Sequence, residues 1–217
     1  MQNMEIQMKN KGILIVVSGF SGAGKGTLMT RLIEKYDTYA LSVSMTTREA
    51  RDGEIDGINY FFLEKEEFEE KIKENALVEY ANYCGNYYGT PREYVEQQLQ
   101  LGKDVILEIE IQGALKIKQN FPNALLLFVM PPDVAELKKR LVGRGTETLD
   151  VIEKRLMRAK EESAGIEEYD YIVINDDLEQ CVDEVNEIVR AAHNTPARNV
   201  EFIEKTKKDL ERLSEGE

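Results

Sequence analysis

Residues 12–27, GILIVVSGFSGAGKGT, are the feature that most constrains the fold of this chain. An apolar run rich in β-branched residues, 13–17, predicts a buried parallel strand, and a glycine-rich loop and a helical pattern follow it directly. In this order, the loop N–H groups and the amino end of the helix can surround a phosphate, and Lys25 can add a cation for the β- and γ-phosphates. A glycine-rich turn without a ligand is the alternative, which both flanking elements disfavour.

One position departs from this phosphate-binding motif. The motif has serine or threonine directly after the lysine, whereas this chain has Gly26 there and places the hydroxyl one residue later, at Thr27. The motif therefore leaves open whether a hydroxyl contacts a magnesium ion, and Thr27 is the candidate for that contact.

Composition narrows the class of protein. The chain has 217 residues, of which 42% are hydrophobic, and this suits one compact α/β domain with mobile sub-elements. No apolar run approaches the roughly 20 residues that cross a bilayer, and residues 1–11 lack a signal-peptide core. The two cysteines have no metal-binding spacing, so we expect reduced thiols and a cytoplasmic location. The formal net charge of −13 disfavours general nucleic-acid binding, although clustered arginines can still bind phosphates locally.

Further apolar runs predict the rest of a parallel sheet, at residues 39–44, 105–111, 123–130 and 169–174. The run at 105–111 contains Glu108 and Glu110, which would face the same side because side chains alternate along a strand. Carboxylates there are costly unless they are paired or hydrated, and the carboxyl ends of parallel strands form ligand sites. We therefore predict a role in the site for both glutamates.

Two segments between the predicted strands carry candidate ligand groups. Residues 44–62 place Arg48 and Arg51 beside hydroxyl side chains, so both could fork onto a phosphate; a solvated loop with ordinary ion pairs is the alternative. Residues 77–91 are rich in tyrosine, which suits the wall of a base-binding pocket; a small hairpin with surface tyrosines is the alternative.

The last third of the chain changes in character. Asp133 is predicted to cap a helix, and basic residues then crowd the segment 138–160 around Arg144, which stands between two glycines. A solvated helical face and a mobile, phosphate-binding lid are both open interpretations. His193 is expected to be an ordinary exposed residue, and residues 194–217 show only a weak helical pattern.

Taken together, these motifs resemble the guanylate kinase family. The matching segments are GFSGAGKGTL, SVSMTTREARDGEIDGINYFF, EYANYCGNYYGT, ILEIEIQG, KKRLVGRGTET with KRL, and VINDDL. They occur in the family's order and spacing over residues 12–192. The resemblance implies a P-loop three-layer α/β fold with a central parallel sheet, divided into a core (12–43, 92–132 and 167–192), a GMP-binding region (44–91), a mobile lid (133–166) and an accessory tail (193–217).

The resemblance also implies residue roles. ATP would be bound by Gly19, Phe20, Ser21, Gly22, Ala23, Gly24, Lys25, Gly26, Thr27 and, near adenine, Asn175. GMP would be bound by Ser44, Arg48, Arg51, Glu54, Tyr60, Glu79, Tyr88, Thr90 and Glu110. Phosphoryl transfer would depend on Lys25, Arg48, Arg140, Arg144 and Arg155. Magnesium would be held mainly through nucleotide phosphates and water, with Thr27 and Glu108 as candidate protein ligands.

The implied activity is ATP-dependent phosphorylation of GMP and dGMP, in purine nucleotide metabolism and GMP recycling. The implied partners are these nucleotides, with no nucleic acid or membrane, and the chain would be a monomer or homodimer. Three alternatives stay open: an interaction module that has lost catalysis, an ATPase that couples hydrolysis to motion, and a kinase for another acceptor such as AMP.

Overall fold

The structure is a computed structural model that describes residues 11–83, 85–143 and 149–215. Its strands are β1 (Leu14–Gly19), β2 (Tyr39–Leu41), β3 (Met45–Thr46), β4 (Phe61–Phe62), β5 (Leu77–Tyr83), β6 (Asn86–Pro91), β7 (Asp104–Glu108), β8 (Leu125–Met130) and β9 (Tyr171–Ile174). Its helices are α1 (Lys25–Lys35), α2 (Lys65–Lys73), α3 (Arg92–Gln100), α4 (Ile111–Asn120), α5 (Val134–Gly143), α6 (Leu149–Glu162), α7 (Leu178–His193) and α8 (Val200–Glu215). Short 3-10 turns occupy Ser163–Glu168 and Pro196–Arg198. Within the described ranges, none of the helices has the length and apolar character to cross a membrane.

The central sheet has five parallel strands, one for each predicted apolar run, and their order is β2-β7-β1-β8-β9. Side chains of the central strand β1 alternate between two buried clusters, because successive residues of a strand point to opposite faces. Ile15 and Val17 join the cluster with α1 and α7, whereas Leu14 and Val16 join the cluster with α3 and α4. The predicted α/β fold with helices on both faces of a parallel sheet is confirmed.

A second, smaller sheet lies within residues 45–91 and has the order β4-β3-β6-β5. Its hairpin β5–β6 is antiparallel, and β3 adds to β6 with Met45 opposite Gly89. On α2, Phe68 is fully buried and stacks on Tyr87 with ring centroids 5.2 Å apart. The predicted GMP-binding region thus has a sheet of its own, although its role stays a prediction.

Two predicted strands extend three residues too far at their carboxyl ends. Strand β2 ends at Leu41 rather than residue 44, although the Ser42 N–H still donates to the Ile106 carbonyl over 3.0 Å. Strand β7 ends at Glu108, and the Glu110 carbonyl accepts the first hydrogen bonds of α4. Glu108 and Glu110 therefore do not share one strand, because helix α4 begins inside the segment predicted as extended.

The chain after α7 also differs from its prediction. His193 is half-buried, and its Nε2 lies 2.9 Å and 3.0 Å from the two carboxylate oxygens of the buried Asp104. The expectation of an ordinary exposed histidine is therefore wrong. The weak helical pattern beyond it forms the complete helix α8, on which Phe202, Leu210 and Leu213 are exposed.

Candidate active site

The glycine-rich loop joins the end of β1 to the start of α1 and lies at the carboxyl edge of the central sheet. This is the edge at which open parallel sheets bind ligands. The Lys25 ammonium donates to the carbonyl oxygens of Gly19 at 2.8 Å and Phe20 at 3.3 Å. The cation is thus folded back over its own loop, where phosphate oxygens can replace the two carbonyls as its partners.

Asn175, which directly follows β9, contacts the same loop. Its side chain is 6% exposed, and its Nδ2 donates to the Ala23 carbonyl over 2.9 Å. Gly24 precedes α1 with φ of 89°, and a Cβ on it would come within 2.5 Å of the Asn175 amide nitrogen. Both the left-handed conformation and the close approach therefore require glycine at this position. The predicted contact of Asn175 with adenine stays a prediction, whereas its contact with the loop is present.

Two glutamates follow at the end of β7. The Glu108 side chain stays in contact with solvent, yet the surrounding protein raises the pKa of its carboxyl, and the charge of Lys25 opposes that rise. The pKa of the Glu110 carboxyl is raised by its surroundings and by Glu162, with Lys25 again opposing. Both carboxylates therefore lie within the electrostatic reach of the loop cation.

The arginine segment is held by a forked ion pair. Arg48 donates from Nη1 and Nη2 to the two carboxylate oxygens of Glu54, each over 2.9 Å, and Glu54 also accepts from the Arg51 N–H over 2.8 Å. These hydrogen bonds raise the pKa of the Arg48 guanidinium and lower the pKa of the Glu54 carboxyl. A bidentate pair fixes the plane of the guanidinium, so Arg48 is oriented before a phosphate arrives.

Aromatic rings enclose the same guanidinium. Its carbon lies 5.4 Å from the centroid of the Tyr60 ring, and Tyr60 and Tyr88 meet edge to face with centroids 6.1 Å apart. The structure therefore brings Arg48, Glu54, Tyr60 and Tyr88 together, and their predicted role in binding the GMP phosphate stays a prediction. The Arg51 side chain is exposed beside them.

Three predicted guanine-binding residues occupy one row across the small sheet. Thr90 Oγ1 donates to Glu79 Oε1 over 2.8 Å, and both residues are buried. Extending the register in which Met45 faces Gly89 by one residue places Ser44 beside Thr90. Burial raises the pKa of the Glu79 carboxyl, while the Thr90 hydrogen bond and the charge of Lys116 oppose the rise. The row thus presents two hydroxyl-bearing residues side by side and one buried carboxylate at its end, on β5.

Two arginines of the predicted lid contact the loop side of the site. Arg140 donates from Nη1 to the Asn175 carbonyl over 2.9 Å, and its Nε donates to Glu136 over the same distance. Arg155 donates to the Ser21 hydroxyl over 2.9 Å. The helix that carries Arg140 is capped by Asp133, which accepts from the Glu136 N–H over 2.7 Å, as predicted. Arg144 lies outside the described residues.

Two contacts escaped the sequence interpretation. Arg158 donates to Glu110 over 3.1 Å and to Glu162 over 2.9 Å, so α6 bridges from the loop to the start of α4. The spacing of three residues between Arg155 and Arg158 could have indicated a shared helical face. Lys116 on α4, whose charge acts on Glu79, donates to the Tyr80 carbonyl over 3.0 Å. No local pattern marks that second contact.

Two surface cavities, of about 540 Å³ and 610 Å³, lie elsewhere on the molecule. The first is lined by residues around Tyr169 and β9, and the second by residues between α2 and α3. Neither is lined by Lys25, Arg48 or Glu79, so the candidate site rests on its chemistry and on its place at the sheet edge.

The oxygen donors near the loop suit a magnesium ion. Magnesium usually binds one or two carboxylates together with waters and substrate phosphates. Glu108 Oε2 would lie 3.9 Å from a Cβ at Gly26, so this carboxylate faces the start of α1, where Thr27 carries an exposed hydroxyl. In the described part of the chain, no group of three or more His, Cys, Asp or Glu side chains could hold a metal. Glu108 and Thr27 would therefore need nucleotide phosphates to complete a site.

Comparison with known proteins agrees with this geometry. The sequence model of the family described as "Guanylate kinase" matches residues 11–192. The chain is 50% identical to the guanylate kinase of Oceanobacillus iheyensis over 86% of its own length and 90% of the relative's, and 53% identical to that of Halalkalibacterium halodurans over 89% and 95%. The crystal structure of guanylate kinase from Anaplasma phagocytophilum superposes with a TM-score of 0.72 at 32% identity, covering 87% of this chain and 90% of the other. The chain therefore belongs to the guanylate kinase family.

Proposed function

We propose that this site transfers the γ-phosphoryl group of ATP to the phosphate of GMP, giving ADP and GDP. The observation that carries the proposal is the row of Ser44, Thr90 and Glu79 across the small sheet, together with the forked Arg48–Glu54 pair in the loop between β3 and β4 of that sheet. A base-binding row and an oriented arginine in the adjoining loop suit a nucleoside monophosphate as acceptor.

The pattern of hydrogen-bond donors and acceptors in this row favours guanine as the base. Guanine has donors at N1 and at its 2-amino group, and an ionised carboxylate is an acceptor only, so Glu79 can accept both. The Ser44 hydroxyl can donate to O6, and Thr90 or Glu110 can accept from the amino group. Adenine has an acceptor at N1 and a donor at its 6-amino group, so Glu79 would face a lone pair. None of these residues is assigned to the 2′-hydroxyl of the ribose, and dGMP is therefore proposed as a second acceptor.

The chemistry requires positioning rather than a catalytic base. The attacking group is a phosphate oxygen of GMP that is already anionic at neutral pH, so charge neutralisation and alignment carry the transfer. Lys25 would exchange its carbonyl partners for the β- and γ-phosphates of ATP. Arg48 and Arg51 would bind the GMP phosphate. Arg140 on α5 and Arg155 on α6 would contact the phosphoryl group during its transfer.

A magnesium ion would neutralise phosphate charge and orient the ATP phosphates. We propose that Glu108 and Thr27 would hold it together with those phosphates and water. The remaining proposals from the sequence are a phosphate contact for Arg144, a cytoplasmic location, a monomeric or homodimeric state and a role in GMP recycling.

An acceptor screen tests the proposed function. ATP is incubated with the chain and GMP, dGMP, AMP, CMP or UMP, and ADP and the phosphorylated acceptor are both measured. We expect ADP and the diphosphate to form in equal amounts with GMP and dGMP. Release of ADP without any acceptor would favour an ATPase, and no turnover of a folded, nucleotide-binding chain would favour an interaction module.

A further inference from the structure

The backbone conformation at Gly113 does not require glycine. It is the third residue of α4, it is buried, and it is not among the glycines with positive φ. Glycine at such a helical position destabilises the fold relative to alanine. The surroundings of this position, rather than its conformation, therefore account for glycine here.

The closest neighbour of a side chain at this position would be Glu79. A Cβ on Gly113 would lie 3.0 Å from Glu79 Oε2 and 3.3 Å from Cδ1 of Ile109. The end of the isoleucine side chain can turn away, because it is a terminal methyl group. The Glu79 carboxylate has less freedom, since its other oxygen accepts the buried Thr90 hydrogen bond of 2.8 Å.

Helix α4 is also held in place beside this carboxylate. One turn after Gly113, the Lys116 ammonium donates to the Tyr80 carbonyl over 3.0 Å and lies 5.6 Å from the centroid of the Tyr80 ring. Tyr80 directly follows Glu79 on β5, so the helix and the strand are also joined one turn beyond the contact. The Lys116 and Thr90 hydrogen bonds oppose the shifts of the helix and of the carboxylate that would admit a methyl group.

We propose that Gly113 is a positioning residue for guanine. Because it has no Cβ, helix α4 can pack closely against Glu79 and so fix the position of Glu79 Oε2. This inference rests on the proposed function, because it assigns that oxygen to the guanine N1–H and 2-amino donors. Thr90 fixes one carboxylate oxygen, and α4 limits the other. A methyl group at position 113 would displace Oε2 by a few tenths of an ångström from the base.

The test is Gly113→Ala, assayed by steady-state kinetics and by calorimetric titration with GMP. We expect the KM and the Kd for GMP to rise about tenfold, since small displacements of positioning groups have effects of this order. The KM for ATP should not change, and kcat should stay within about threefold. Gln119→Ala on the same helix, at an exposed position, is the matched control and should behave as wild type.

A double-mutant cycle separates positioning from general damage. In the Glu79→Gln background, where the acceptor pair for guanine is already lost, adding Gly113→Ala should raise the GMP KM by less than about threefold. Equal effects in both backgrounds, or an unchanged GMP KM in Gly113→Ala, would overturn the inference alone. A wild-type chain without GMP-dependent ADP formation would overturn the proposed function as well.

Protein stability gives a second, independent readout. If the methyl group meets Glu79, any loss of melting temperature in Gly113→Ala should disappear in the Glu79→Ala background, where the carboxylate is absent. A loss that persists in that double variant would also overturn the inference.

Discussion

The proposed acceptor side and donor side of the site hold their polar groups in different ways. On the acceptor side, residues 44–91, these polar side chains form hydrogen bonds with other side chains. Arg48 donates to both carboxylate oxygens of Glu54, and Thr90 donates to Glu79. On the donor side, comprising the loop with α5 and α6, the cations divide between backbone carbonyls and side chains such as Glu136 and Ser21. Lys25 donates to Gly19 and Phe20 carbonyls, and Arg140 donates to the Asn175 carbonyl.

This difference indicates separate tasks for the two sides. Groups fixed by side-chain partners are oriented before the ligand arrives, which favours selective binding of one base and its phosphate. A cationic side chain that donates to backbone carbonyls must exchange those carbonyls for phosphate oxygens. The arrangement of such side chains therefore depends on whether ATP is bound. We therefore expect changes on the acceptor side to alter which nucleotide is used, and changes on the donor side to alter the rate.

The largest expected effect concerns base selection by the acceptor side. We expect kcat/KM for GMP to exceed that for AMP by at least about a thousandfold, since unpaired buried polar groups penalise the wrong base strongly. Glu79→Gln should lower kcat/KM for GMP, because a donor then faces the guanine donors. Glu69→Gln on the exposed part of α2 is the control. Comparable use of AMP by the wild type, or an unharmed Glu79→Gln, would contradict the assignment.

The next effect concerns the donor side. Lys25→Met should lower kcat at least about a hundredfold, the cost typical of losing one electrostatic donor to a transition state. The fold should persist, since the loop conformation depends on its glycines. Lys35→Met at the other end of α1, where the lysine pairs with Asp183, is the matched control. Near-normal turnover by folded Lys25→Met would remove the loop from the mechanism.

A smaller effect concerns stability and its dependence on pH. Burial raises the pKa of the Glu79 carboxyl in the folded chain above its unfolded value. The carboxyl group therefore contributes most to the stability of the folded chain at pH values below its pKa in the unfolded chain. This stabilisation is lost as the pH rises through the pKa of the group in the folded chain. Without nucleotide, wild type should lose stability relative to Glu79→Gln as the pH rises above about 4, the ordinary pKa of a glutamate. Melting curves of both proteins check this, and a constant gap would contradict it.

The smallest effect concerns helix α8. Ending the chain after Asn199 removes α8 but keeps the contact of His193 with Asp104. We expect kcat and both KM values to stay within about twofold, because the exposed helix lies outside both sides of the site. A soluble, folded truncation with much lower activity would mean that α8 supports the site or an assembly.

The sequence predicts those parts of the molecule that are encoded locally. Continuous apolar runs give the five parallel strands, and the glycine spacing gives the loop, because both signals lie within a few residues. Asp133 is predicted as a cap for the same reason. The resemblance adds residue roles, which stay predictions, although the structure does bring Arg48, Glu54, Tyr60 and Tyr88 together.

The contacts that sequence reasoning missed join distant segments. His193 meets Asp104 across 89 positions of the chain, and Asn175 meets the loop across 152. Neither partner is indicated by a local pattern. The wrong extent of β7 has another cause: the isoleucines around Glu110 suit a strand, but its carbonyl accepts the first hydrogen bonds of α4.

Calorimetric titration of Lys25→Met with GMP in the absence of ATP tests the separation of the two sides most directly. The account predicts that GMP binds this variant with a Kd within about twofold of wild type, while AMP binding remains much weaker, because the acceptor side forms without the loop cation. A loss of GMP affinity of tenfold or more in the folded variant would contradict the account, since Lys25 would then belong to the acceptor side.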